Sequence, residues 1–179
     1  VDDGGNGRSA LMAMDKKTGQ RLWAFNTRNS VKQQLRSAGG IVLATDVEGN
    51  IYALDIKTGR QIWTKNISGG RPPAYVTAGA VYNNIYYTGY GSYLSAWDIA
   101  SGKELWRNTE WDGGESMPGE IQVNEEFLFT GANWNSLFTH HRETGKLLWK
   151  KDDDGLRFRS GGVAVENNEV YATGVNTLV

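Results

Sequence analysis

The sequence predicts an all-β fold made of repeated four-stranded units, and two observations lead to this prediction. An eleven-residue pattern occurs four times and ends in tryptophan at positions 23, 63, 106 and 149, so that successive copies are 40, 43 and 43 residues apart. A fixed period of this size, with strand-like segments between turns, is typical of propeller blades or solenoid coils. The 23 glycines against 3 prolines suit many short strands joined by tight turns.

Each copy of the pattern places a Thr-Gly or Ser-Gly turn shortly before its tryptophan. The first three copies read A-M-D-K-K-T-G-Q-R-L-W, A-L-D-I-K-T-G-R-Q-I-W and A-W-D-I-A-S-G-K-E-L-W, and the fourth reads T-H-H-R-E-T-G-K-L-L-W. We expect the glycine to adopt a left-handed conformation that reverses the chain. We expect the tryptophan to pack against the neighbouring repeat, where the small alanine leaves room.

The elements of one repeat follow in order between residues 41 and 66. Two short apolar β-runs, Ile41–Thr45 and Ile51–Asp55, flank the turn Asp46–Asn50, and a third run, Arg60–Lys65, follows the turn Lys57–Gly59. A further strand precedes each set, which gives the four-stranded antiparallel blade of a β-propeller. We therefore predict one propeller segment over residues 1–179, with repeats at about 24–66, 67–109 and 110–152 and partial blades at 1–23 and 153–179.

The composition excludes several classes of partner and chemistry. Lys+Arg is 19 and Asp+Glu is 20, a net charge of −1 that argues against a nucleic-acid partner. No apolar stretch reaches the roughly 18 residues of a membrane helix, so we expect no direct membrane insertion. The absence of cysteine rules out disulfides, thiolate metal sites and cysteine nucleophiles.

The motif A-x-D-x-x-T-G-x-x-x-W resembles the tryptophan-docking motif of the pyrroloquinoline quinone (PQQ) propeller repeat, and its four copies cover nearly the whole chain. That superfamily contains quinoprotein dehydrogenases, an outer-membrane barrel-assembly lipoprotein and envelope proteins without a cofactor. The resemblance implies a periplasmic or cell-surface location. A quinoprotein dehydrogenase would need a bound quinone, Ca²⁺ and an aspartate base, and four repeats are about half of the eight blades that those enzymes use.

The residues with catalytic or metal-binding chemistry favour structural roles. Asp15, Asp55 and Asp98 stand at the head of the repeated turn, where a carboxylate caps backbone N–H groups. The neighbours His140 and His141 point to opposite faces of a strand, which argues against a shared metal. We therefore predict no catalytic residue, no metal site and no cofactor.

The connections between strands differ on the two faces of the predicted disc. The turns that contain Thr-Gly or Asn-Asn are short and uniform, and we call their side the turn face. The other connections vary in length and carry arginine and aromatic residues, which are the types that anchor interfaces; we call their side the variable face. The predicted partner-binding residues there are Arg36, Arg71, Tyr90, Trp111, Trp134, Arg157 and Arg159.

These observations favour a non-catalytic binding or scaffolding module of the bacterial cell envelope that engages a protein or glycan. The alternatives are a piece of a PQQ-dependent dehydrogenase, or an accessory propeller domain of a hydrolase or kinase. Leu11 and Leu178 occupy the same slot of the repeat, so the chain begins and stops at a third strand. We expect either that the native protein continues into further blades or that two copies associate, in preference to a closed four-bladed ring.

Overall fold

The fold consists of seventeen strands in five antiparallel sheets over the part of the chain that the structure describes. The structure is a computed structural model. It describes residues 9–70, 76–91, 93–108, 120–131, 136–152, 163–174 and 177–178.

Three of the sheets are complete four-stranded blades in which neighbouring strands follow one another along the chain. The second sheet contains β3 (Arg36–Ala38), β4 (Ile41–Thr45), β5 (Asn50–Asp55) and β6 (Gln61–Asn66). The third sheet contains β7 (Ala80–Tyr82), β8 (Ile85–Tyr90), β9 (Tyr93–Asp98) and β10 (Glu104–Asn108). The fourth sheet contains β11 (Ile121–Val123), β12 (Phe127–Gly131), β13 (Ser136–His141) and β14 (Leu147–Asp152).

The first and fifth sheets hold fewer strands. The first contains only β1 (Ser9–Met14) and β2 (Arg21–Thr27), which correspond to the third and fourth strands of a blade, and β2 runs past residue 23 to Thr27. The fifth contains β15 (Val163–Glu166), β16 (Glu169–Gly174) and β17 (Thr177–Leu178), which correspond to the first three strands. In the described residues these two sheets are separate.

The first strands of successive sheets, β3, β7, β11 and β15, contact one another, so each sheet runs outward from this inner row. Apolar side chains fill the space between each pair of neighbouring sheets. The cluster between the second and third sheets is the largest, and it contains Leu43, Ile51, Ala53, Trp63, Ile67, Val76, Tyr86, Tyr90, Trp97 and Ile99. The predicted all-β fold of four-stranded antiparallel blades is confirmed.

The reversals use residues that tolerate positive φ. Asn83 and Asn84, in the hairpin between β7 and β8, have φ of 46° and 60°. Gly59, in the turn between β5 and β6, has φ of 69°. Glycine and, to a lesser degree, asparagine tolerate this region better than other residues, so the sequence prediction for these turns is confirmed.

Candidate binding surface

Trp63 connects the second sheet to the third through two contacts with the same turn. Its indole Nε1 donates a hydrogen bond to the carbonyl oxygen of Ile99, at 2.8 Å. The ring covers Gly102, where an added Cβ would lie 2.7 Å from the indole Cδ2. Only glycine therefore fits at this position, both for its φ of 67° and for the approach of the ring.

Two more tryptophans repeat this docking geometry. Trp23 donates to the carbonyl of Ile56 at 3.0 Å, and a Cβ at Gly59 would lie 2.5 Å from its ring. Trp106 donates to the carbonyl of Arg142 at 3.1 Å, and its ring covers Gly145 in the same way. The tryptophan in each of the first three copies thus docks on the glycine turn of the next copy.

The alanine of the motif has a different position from the one expected. Ala53 pairs directly with Trp63 across β5 and β6 of one sheet, as Ala96 pairs with Trp106. The small residue therefore lies beside the ring within its own sheet, while glycine of the next sheet receives it. The expectation that alanine makes room across the interface is wrong, because its strand pairing fixes it on the tryptophan's own side.

The aspartates of the motif hold the turns together. Asp55 Oδ1 accepts hydrogen bonds from the amides of Lys57 at 3.1 Å and Thr58 at 2.8 Å, and from the Thr58 hydroxyl at 2.7 Å. The Thr58 hydroxyl and amide hold the pKa of the Asp55 carboxyl below its usual value. Asp15 and Asp98 make equivalent bonds to Thr18 and Ser101. These carboxylates are engaged in local structure, as the sequence predicts.

The fourth copy replaces this carboxylate by His141 and follows it with a buried arginine. Arg142 Nε donates to the carbonyl of Glu125 at 2.8 Å, and its guanidinium lies 5.0 Å from the ring centre of Tyr82. One of its terminal nitrogens donates to the hydroxyl of Tyr87 at 3.3 Å. This arginine connects the third and fourth sheets, a role that the sequence pattern does not reveal.

His140 lies inside the fourth sheet and is fully buried. Its ring stacks on Phe138 with the ring centres 6.3 Å apart. Burial lowers the pKa of His140 to about 4, so the ring is neutral at pH 7. Within the described ranges, no three side chains of histidine, cysteine, aspartate or glutamate come together as metal ligands would.

The predicted variable face is only partly described. Arg36, the first residue of β3, is half-buried, and its guanidinium donates to Gln34 Oε1 at 2.7 Å and to the carbonyl of Leu35 at 3.3 Å. The remaining predicted residues other than Tyr90 lie outside the described residues: Arg71, Trp111, Trp134, Arg157 and Arg159. Their role in binding stays a prediction.

Tyr90 lies in the core and not in an exposed loop. It is the last residue of β8 and is 2% exposed. Its ring covers Gly49 of the second sheet, where an added Cβ would lie 2.9 Å from Cδ2 and 3.2 Å from Ile67. The expectation that Tyr90 offers a surface to a partner is wrong, because the neighbouring sheet encloses its ring.

A buried polar network stiffens the variable face near the second sheet. Asp46 accepts hydrogen bonds from the Asn50 amide at 2.9 Å and from the Tyr52 hydroxyl at 2.8 Å. That hydroxyl accepts a bond from the backbone of Arg28 at 2.9 Å, and Asn66 Nδ2 donates to Asn50 Oδ1 at 2.9 Å. Burial raises the pKa of Tyr52. The network fixes the connection between the first two sheets, and only tertiary contacts identify it.

A row of exposed aliphatic residues follows the outer edges of the sheets. Each occupies the position before a motif tryptophan, on the last strand of its sheet, and points away from the core. They are Leu22, Ile62, Leu105 and Leu148. Side chains alternate between the two faces of a strand, so the residue beside the inward-facing tryptophan faces outward.

No helix in the described part of the chain is long and apolar enough to cross a bilayer. The sheet order, the inner row of first strands and the repeated docking contacts define a β-propeller of the tryptophan-docking type. Residues 7–179 match the family described as outer membrane protein assembly factor BamB. The chain belongs to this PQQ-like repeat family.

Solved structures with the same fold include designed, assembly and enzyme propellers. The computationally designed Ika8 protein matches with a TM-score of 0.75 and 21% identity, over 90% of this chain and 48% of that one. BamB from Moraxella catarrhalis matches with a TM-score of 0.59 and 16% identity, over 92% of this chain and 73% of that one.

The quinohemoprotein alcohol dehydrogenase from Comamonas testosteroni matches with a TM-score of 0.69 and 16% identity, over 91% of this chain and 36% of that one. The chain thus spans about half of the designed protein and about a third of the dehydrogenase. Comparison with curated proteins finds no match. Both assembly and quinoprotein propellers therefore share this fold, and the likeness at these identities shows the fold alone.

Proposed function

We propose that this chain is a non-catalytic protein-binding module of the bacterial cell envelope, and that it engages its partner through the variable face. The family match over residues 7–179 carries this proposal, because it is the assembly factor and not an enzyme that gives the family its description. The chemistry of the repeats supports it, since the motif aspartates cap their own turns and the buried Asp46 is saturated by its neighbours.

Partner binding needs rigid support beneath variable loops. The Asp46 network and the packing of Tyr90 on Gly49 supply such support on the variable face. The predicted anchors there are Arg71, Trp111, Trp134, Arg157 and Arg159, whose side chains are of the types that dominate interface energetics. Arg36 adds a charge at the inner row of strands. A glycan partner would use the same aromatic residues.

The test is capture of partners from an envelope extract by the tagged chain. We expect Trp111→Ala and Arg159→Glu to reduce recovery of the partner about tenfold while leaving thermal unfolding unchanged. Lys57→Glu is the matched control, because Lys57 is exposed on the turn face and should bind normally. Equal recovery by all variants would remove the assignment to the variable face.

A second candidate function, a piece of a PQQ-dependent dehydrogenase, is favoured by the structural match to the Comamonas testosteroni enzyme. Incubation with PQQ and Ca²⁺ separates the two candidates. The binding module should give no saturable change in quinone absorbance and no dye-linked alcohol oxidation. A saturable change with turnover would favour the dehydrogenase instead.

A further inference from the structure

The connection that crosses the variable face from β2 to β3 is basic. Residues 16–45 contain no Asp or Glu, although the whole chain holds 20 acidic and 19 basic residues. The connection itself spans residues 28–35, and we call it the first connection. Positive charge is thus concentrated in this part of the chain. The Lys and Arg residues of the acid-free stretch are Lys16, Lys17, Arg21, Arg28, Lys32 and Arg36.

The two cations of the first connection, Arg28 and Lys32, are exposed and are not neutralised by the structure around them. The two ion pairs among the described residues involve other cations. The adjoining turn between β4 and β5 carries one exposed carboxylate, Glu48, and one buried carboxylate, Asp46, which its neighbours saturate. An acidic group brought by a partner would therefore meet two positive charges in exposed positions.

The backbone of the first connection is held in place by hydrogen bonds. The Arg28 amide donates to the Tyr52 hydroxyl at 2.9 Å, and the Ser30 carbonyl accepts from the Val47 amide at 2.9 Å. The Ser30 amide donates to Asn29 Oδ1 at 2.8 Å. These bonds do not use the charged side chains, which stay available to a partner. Since the loop is already ordered, little conformational entropy is lost when a partner binds it.

The spacing of the two cations suits a short extended segment. Arg28 and Lys32 are four residues apart, so their Cα atoms are separated by at most about 14 Å. An extended strand covers the same distance in about four residues. Leu35, which is 45% exposed, adds apolar surface on the same connection. The side-chain amide of Gln33 can bond to the peptide groups of such a segment.

The charge of another connection limits the length of an anionic partner. The third and fourth sheets are joined by residues 109–120, which by their place in the repeat belong to the variable face. A long polyanion that extended from the first connection to this one would meet like charge, which disfavours it. A short acidic segment contacts the first connection alone. The acidic residues in 109–120, where there is no Lys or Arg, are Glu110, Asp112, Glu115 and Glu120.

We propose that the first connection binds a short acidic segment of a partner protein. Carboxylates of the segment pair with Arg28 and Lys32, and an apolar residue of the segment packs on Leu35. Arg36 adds positive potential at the inner end while its guanidinium keeps its hydrogen bonds to Gln34 and to the Leu35 carbonyl. This inference rests on the proposed function and names the partner's chemistry and the part of the variable face that it contacts.

The probe is a fluorescein-labelled peptide in which glutamate alternates with serine and leucine, and its binding to the 179-residue chain is measured by fluorescence anisotropy. We expect saturable binding that weakens as NaCl is raised from about 50 mM to about 500 mM, because salt screens exposed charges. The same peptide with glutamine in place of every glutamate should not bind. Equal binding of the two peptides, or no binding of either, overturns the proposal.

A matched pair of double variants locates the site. Arg28→Glu combined with Lys32→Glu should weaken binding of the glutamate peptide about tenfold. Lys57→Glu combined with Arg60→Glu changes the net charge by the same amount on the turn face and should leave binding unchanged. Thermal unfolding should be unaltered in both, because all four side chains are exposed. Equal weakening by the two double variants would show that overall charge, and not the first connection, attracts the peptide.

A long inorganic polyphosphate separates an acidic protein segment from a general polyanion. Compared at equal total charge, the polyphosphate should displace the labelled peptide no better than the unlabelled peptide does, because it also meets the acidic residues of 109–120. Displacement by polyphosphate at a much lower concentration would overturn the assignment to a protein segment.

Capture of partners from an envelope extract distinguishes this inference from the proposed function. Loss of the partner by the Arg28→Glu, Lys32→Glu variant, which also loses the peptide, supports both. Normal capture by that variant, together with loss of the partner by Trp111→Ala, overturns the inference and leaves the proposed function standing. If the original chain binds the peptide but captures no partner, the proposed function fails and the assignment of a protein partner fails with it.

Discussion

Trp63 and Trp149 end the same eleven-residue pattern, yet one is buried between two sheets and the other is exposed. Each tryptophan pairs with the equivalent residue on the neighbouring strand of its own sheet, Trp63 with Ala53 and Trp149 with Thr139. The difference lies in the receiving turn: Gly102 and the Ile99 carbonyl receive Trp63, whereas no glycine turn receives Trp149 in the described residues. The docking contact therefore needs two parts, the motif tryptophan and the glycine turn of the next sheet, and the tryptophan alone does not predict an interface.

The largest expected effect on stability comes from removing the docked indole ring of Trp63. Trp63→Ala should lower the free energy of unfolding by about 3–5 kcal/mol, because it leaves a cavity between two sheets and removes the bond to the Ile99 carbonyl. Trp149→Ala should cost less than about 1 kcal/mol, because this side chain is 41% exposed. Urea titration measures both, and equal losses would break the comparison.

The fourth sheet should also differ in its response to acid. The pKa of His140 is lowered from 6.5 to about 4 by burial, so the unfolded chain binds more protons than the folded chain between these values. Stability should therefore fall by about 3 kcal/mol as the pH drops through this window. His140→Gln should remove that slope, measured by urea midpoints across the pH range. His141→Gln is the control that should retain it.

The glycine half of the contact gives a smaller effect. Gly102→Ala should cost about 2–4 kcal/mol, since it combines the strain of an L residue at φ of 67° with a clash against Trp63. Gly19→Ala shares the strain but meets no ring in the described part of the chain, and should cost about 1 kcal/mol. The difference in urea midpoint isolates the ring contact, and no difference would show that the rings do not restrict the turn.

The smallest effect concerns the capping carboxylate beside the docked glycine. Asp55→Asn keeps an acceptor for the Thr58 amide but loses the charge, so the thermal midpoint at pH 7 should fall slightly. The pKa of Asp55 is depressed, so its contribution is present above the unfolded value of 3.8 and is lost as the pH falls through the folded value. The variant and the original chain should therefore converge at lower pH. A constant difference across the acid range would refute a role for the charge.

The fold could be predicted from sequence because its determinants are local and repeated. The left-handed glycines, the Asn83-Asn84 hairpin and the aspartate caps each depend on residues within one turn. A period of about 42 residues then places equivalent strands in equivalent sheets. These features need no knowledge of what lies across an interface.

The contacts between sheets were harder to predict. Tyr90 stands between two glycines and looks like part of a loop, but the pairing of β8 with β9 continues through it and its ring packs on Gly49. The partner of the tryptophan was assigned to alanine instead of glycine for the same reason. Both errors concern which residue of the next sheet lies opposite, and strand periodicity within one sheet carries no such information.

The hydrogen bond from each docked indole goes to a backbone carbonyl and not to a side chain. Ile56, Ile99 and Arg142 supply that acceptor equally well, although their side chains share no chemistry. The docking contact between two sheets therefore tolerates most substitutions in the turn that receives the tryptophan, apart from substitution of the glycine. Repeats that diverge in sequence can therefore still dock on one another. When a whole repeat is duplicated or deleted in the gene, the repeats that become neighbours still fit together. Propellers with different numbers of blades can arise from one repeat in this way.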